Sequence, residues 1–119
     1  MRLQYLDFDF SEDEHGHGSF DAMAAVAPAQ LPALQAEIVD VLAWAEQQFG
    51  PPAPLDESGE WDCELQGVQE VATPLAVRYE SGRLRLAPGG PETPRTTLTL
   101  TLSGGPAFCA ALRARFGLD

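Results

Sequence analysis

The chain contains no lysine and no asparagine, has only two cysteines, and lacks any long apolar run. Each shortage excludes something. A bilayer-spanning helix needs roughly 20 successive apolar residues, and no segment approaches that. The opening residues, MRLQYLDFDF, place acids where a secretory signal requires an apolar stretch. The expected location is therefore cytoplasmic. Cys63 and Cys109 stand far apart, with no CxxC or Cys/His spacing around them. Neither a zinc ribbon nor a secreted disulfide framework is suggested, and two reduced, buried thiols are expected.

Positive charge is also scarce. All 7 bases are arginines, set against 18 acids, for a net charge of −11. A surface of that sign repels phosphate, so neither nucleic acid nor an anionic membrane is an expected partner. The missing lysine and asparagine, beside abundant Ala, Pro, Gly and Arg, read as a compositional bias and point to no function. At 119 residues the chain suits one domain, 1–119, able to bury a core without disulfides or a structural metal.

The patterning that is present predicts an α+β fold. Residues 2–10 alternate, with Leu6, Phe8 and Phe10 on one face and Asp7 and Asp9 on the other, and Phe20, Ala22, Ala24 and Val26 repeat the period. The polar SEDEHGHGS between them reads as a hairpin loop. Over residues 30–49, Leu31, Leu34, Ile38, Val41, Leu42, Ala45 and Phe49 recur at helical steps until Gly50, Pro51 and Pro52 stop them. GPPAPLDESG then reads as a stiff, extended connector.

Four further strands follow. Trp61, Cys63 and Leu65 share one face of the first. Ser81-Gly82 joins the next two as a two-residue hairpin that pairs Tyr79 with Leu84 and Val77 with Leu86. APGGPETPR is a Pro/Gly-rich loop, and residues 96–102 alternate leucine with threonine. Residues 106–116 form a closing helix with Pro at its start, Arg113 and Arg115 in its last turn and Gly117 beyond. The expected architecture is a two-layer sandwich, order ββαββββα, with a mostly antiparallel sheet and two helices on one face.

Three constellations stand out. The first-hairpin register sets Asp9 opposite Asp21, a repulsive placement, beneath a loop holding His15 and His17. A divalent cation held by Asp9, Asp21, His15 and His17 would relieve it. The alternative is a solvated acidic hairpin whose carboxylates are screened. Paired-carboxylate catalysis lacks any sign of a surrounding apolar pocket, and neither cysteine has a neighbouring histidine in sequence.

Second, Glu60, Asp62 and Glu64 form an outward row on the third strand, a landing strip for a basic partner unless Arg78 and Arg85, themselves cross-strand neighbours, answer it within the fold. Third, Trp44 flanks the helix stripe near Glu37, Val41 and Gln48, either as an interface residue or as a cap on the core edge under the connector. No GxSxG, P-loop or GxGxxG motif occurs.

The resulting expectation is a non-catalytic interaction module that binds itself or a basic protein, through Trp44, Glu60, Asp62 and Glu64, with no cofactor. The competing expectation is a divalent-metal or small-ligand protein, or an enzyme, built on the first hairpin.

Overall fold

The computed structural model describes residues 2–118. Six strands and two α-helices follow in the order ββαββββα: β1 (Asp9–Glu12), β2 (Gly18–Val26), α1 (Leu31–Phe49), β3 (Trp61–Ala72), β4 (Leu75–Glu80), β5 (Arg83–Pro88), β6 (Thr93–Gly104) and α2 (Pro106–Phe116). The fold is α+β, and every strand pair is antiparallel. Four strands form one sheet in the order β1-β2-β6-β3, while β4 and β5 form a separate two-stranded ribbon.

Alternation along β2 sends Phe20, Ala22, Ala24 and Val26 inward and leaves Asp21, Met23 and Ala25 exposed. Leu100 and Leu102 continue that inner face on β6. Against it α1 lays Leu34, Ile38, Val41 and Ala45, and α2 lays Phe108, Leu112 and Phe116. The two helices meet where Trp44 packs edge-on to Phe116 at 5.5 Å between ring centres.

α2 approaches the sheet closely because two bare glycines receive it. Gly18 and Trp61 flank Gly104 across three strands. A methyl on Gly104 would be driven into the Phe108 ring, and one on Gly18 would meet Cys109 Sγ and Phe10. With both positions bare, Phe108 stacks on Trp61 with 5.7 Å between centres and 7° between planes. At the far end of α2, Gly117 takes a left-handed conformation (φ 66°) and Leu118 N–H donates to Arg113 O, closing the helix as its sequence predicts.

Three boundaries differ from the sequence expectation. Residues 2–8 are not strand, although Leu6 is buried and Phe8 half-buried as the alternation requires. Their backbone is claimed by the buried Glu37, whose carboxylate accepts N–H donors from Gln4, Tyr5 and Leu6 at 2.8–3.0 Å. Three donors taken by one side chain leave too few for a ladder. The connector is folded back rather than extended, since Ala53 N–H donates to Trp61 O and Trp61 Nε1–H to Gly50 O, around a 3-10 turn at Leu55–Glu57. And β3 and β6 run on together well past the helices, to Ala72 opposite Thr93.

That last difference sets the molecular shape. The radius of gyration is 19.9 Å and the extents are 67 × 30 × 25 Å, whereas a compact chain of this length would have a radius near 13.5 Å. The excess is an arm: the outer halves of β3 and β6, tipped by the β4–β5 hairpin.

Candidate interaction surface

The first hairpin forms in the expected register, with Asp9 opposite Asp21 and Phe10 opposite Phe20. Relief of the carboxylate pair comes from the neighbouring strand, because the Thr101 hydroxyl donates to Asp21 Oδ1 at 2.6 Å. The loop is organised from within. Asp13 Oδ1 accepts N–H from His15 and His17, and Asp13 Oδ2 lies 3.6 Å from His17 Nδ1. Those hydrogen bonds hold the Asp13 carboxyl below its ordinary 3.8.

The four residues considered as metal ligands are not gathered. Asp9 and Asp21 border one open depression with Asp7, Met23 and Thr99, while His17 borders another with Glu12 and Asp13. Among the described residues no group of three or more His, Cys, Asp or Glu is disposed to hold a metal ion. The reason is the length of the pairing. β1 runs on to Glu12 and β2 begins at Gly18, so the histidines sit at the turn while the aspartates sit several residues back along the ladder.

Both thiols are free. Burial, and then the carboxylates of Asp62 and Glu46, push the Cys63 thiol up, and burial pushes Cys109 up as well. Neither environment makes a thiolate nucleophile. Trp44 is half-buried among Phe49, Phe108 and Phe116, bridging the two helices.

The acidic row is placed differently from the reading in which arginines answer it. β3 is an edge strand whose neighbour is β6, with Asp62 opposite Ser103 and Glu64 opposite Thr101. Arg78 and Arg85 do lie opposite each other, but on the separate ribbon, where Glu80 serves both, at 4.0 and 3.3 Å. Asp62 accepts from Cys63 N–H and Glu64 from Gln66 Nε2, and among the described residues no salt bridge reaches Glu60, Asp62 or Glu64.

The feature that sequence periodicity alone does not place is the arm surface. Leu75, Val77 and Tyr79 share one face of the β4–β5 ribbon with Leu84 and Leu86, as alternation demands, yet all five are exposed, Tyr79 by 76% and Leu84 by 66%. With Leu65, Val68 and Val71 on β3 they account for eight of the ten exposed large hydrophobics among the described residues. Exposure is therefore concentrated on the arm formed by β3, β4 and β5, not scattered. The other face of the ribbon carries Arg78, Arg83 and Arg85 against Glu80 alone. A signal for this was present, because both helices are already used in covering residues 20–26 and 98–102 and nothing remains to cover a further hairpin.

At the arm's root, Ile38 and Val39 of α1 and Leu65, Gly67 and Leu98 of the sheet border an open apolar cleft of about 350 Å³, rimmed by Gln35 and Gln66. No helix of the described residues is long and apolar enough to cross a membrane. No family model, no curated protein and no solved structure matches the chain.

Proposed function

We propose that this protein is a non-catalytic interaction module of the cytoplasm whose binding element is the projecting arm. One observation carries the reading. A two-stranded ribbon is marginal by itself in water, and this one presents five large apolar side chains on a single face with no covering layer. Concentrated apolar surface of that kind marks a contact site. Arginine and tyrosine beside aliphatic residues is also the composition favoured at interface centres.

The acidic row Glu60, Asp62 and Glu64 supports a secondary contact with a basic protein, since no salt bridge within the fold uses those carboxylates. The metal-binding alternative has no such support, because the first hairpin separates the donors it would need.

The test uses two baits, the wild-type protein and Val77→Asp/Leu84→Asp, in parallel capture from native cell extract. Both substituted residues are exposed, so the body should keep its circular dichroism spectrum. Proteins retained by the wild type and lost with the variant are the expected result. Identical retention by both baits would overturn the arm as the binding element.

A further inference from the structure

We infer that the arm's partner is a second copy of this chain, two copies pairing about a twofold axis so that each tip seats in the apolar cleft at the root of the other's arm. This rests on the reading of the arm as the binding element, and it names the occupant.

Charge selects the partner first. The tip, Leu75–Glu80 with Arg83–Pro88, carries three arginines and one glutamate, while the chain as a whole stands at −11. Nearly all of the negative charge therefore lies away from the tip. The arginines lie on the back of the ribbon, opposite the apolar face, so they stay outside the contact itself, but the tip's net positive charge still disfavours a basic protein and favours an acidic body. The body of this same chain is such a surface.

The cleft supplies the apolar receptor. Gly67 faces Leu98 across the ladder, and a Cβ there would stand only 3.1 Å from Leu98 Cδ2, so the missing side chain is what opens the floor. Val39 and Leu65 at its walls are 60% and 53% exposed, an apolar lining without an occupant in the single copy. Tyr79, the most exposed of the tip's apolar residues, has the matching form: a ring for the lining and a hydroxyl for the Gln35 amide beside it.

Symmetry then fixes the number of copies. Tip and cleft lie at opposite ends of one arm, so two antiparallel arms satisfy both tips and both clefts at once. That isologous arrangement closes at two, whereas a head-to-tail arrangement would leave one tip and one cleft open and continue into a filament.

Mass by light scattering and sedimentation over a concentration series tests this, with Tyr79→Asp, Val39→Asp and their equimolar mixture beside the wild type. The wild type should reach twice 12.8 kDa. Each variant should remain at 12.8 kDa over the same range, with its dissociation constant raised at least about tenfold, its circular dichroism unchanged, and its melting temperature equal to that of the wild type at concentrations where the wild type is monomeric. The mixture should associate more strongly than either variant alone, because one intact tip then meets one intact cleft.

A wild type that stays monomeric at the highest concentration overturns the inference, as does a dimer indifferent to Tyr79→Asp. The arm reading fails separately. A monomeric wild type whose tip still captures another protein removes only the second copy, and a monomeric wild type with no tip-dependent capture removes both.

Discussion

Glu37 shows how much one side chain decides. It is 8% exposed and holds three consecutive backbone N–H groups that belong to residues more than 30 positions away. Glu37→Ala strands those donors at the surface of α1, and hydrogen bonds to a charged group contribute more than neutral ones. A loss of about 3 kcal/mol is expected, read by chemical denaturation, together with faster hydrogen exchange at Gln4, Tyr5 and Leu6. Glu37→Gln, which keeps one acceptor oxygen, should lose less. Equal exchange at those three amides in the wild type and Glu37→Ala would contradict the account.

Gly104 is the complementary case, where the absent side chain matters. Gly104→Ala forces a methyl into the Phe108 ring and separates it from Trp61, an overpacking expected to cost about 2 kcal/mol or more. The lost stack should appear as a changed Trp61 fluorescence. The two thiols add a pH dependence of definite sign. Burial raises both above their ordinary 9.0, so the folded state holds its protons longer than the unfolded one. Their contribution is complete below pH 9 and is lost as pH rises through the folded values. Stability should therefore fall above pH 9, and replacing both cysteines with alanine should flatten that fall.

Among the elements, the two hairpins were the most legible in the sequence, because local alternation and a turn motif settle a register without reference to the rest of the chain. Phe10 meets Phe20, Val77 meets Leu86, and Ser81 and Gly82 take φ of 48° and 80°, as a two-residue turn of type I′ requires. What stayed hidden was adjacency. A period of two says which face a residue occupies, not which strand lies beside it. Charge balance favours Glu60, Asp62 and Glu64 beside Arg78 and Arg85, and only the departure of β4 and β5 into a ribbon of their own, leaving β3 as an edge strand, shows that they are apart. Glu37 escaped for a related reason: its ligands are backbone amides, which leave no pattern in sequence.

The first hairpin carries its own prediction. Asp13 is held below 3.8 chiefly by the His17 N–H bond. The loop order it supports is thus present above the unfolded value and lost as pH falls through the folded one. His15 and His17 amides should lose protection on acidification before β2 does. Zn²⁺, Mn²⁺ and Ca²⁺ should leave the melting temperature unchanged, since a bound ion would raise it with occupancy and the donors are divided between two depressions. A rise with any of them would restore the metal reading.

At the scale of the whole molecule, two electrostatic terms oppose each other when copies meet. Each copy carries −11, so the bodies repel over tens of ångströms at low salt, whereas the three arginines on the back of the tip attract the facing body at shorter range. Screening lengths decide which term salt removes. The Debye length shrinks from about 30 Å at 0.01 M to about 8 Å at 0.15 M, which suppresses repulsion between bodies while leaving the apolar contact and the closest charge pairs largely intact. Raising salt over that range should therefore strengthen association of the wild type. Arg78→Glu/Arg85→Glu reverses the local attraction, so it should associate more weakly at every ionic strength and gain proportionately more from salt. Sedimentation of both proteins along one salt series measures this, and a wild-type mass that falls as salt is added would mean that polar pairs, not the apolar face of the arm, hold the copies together.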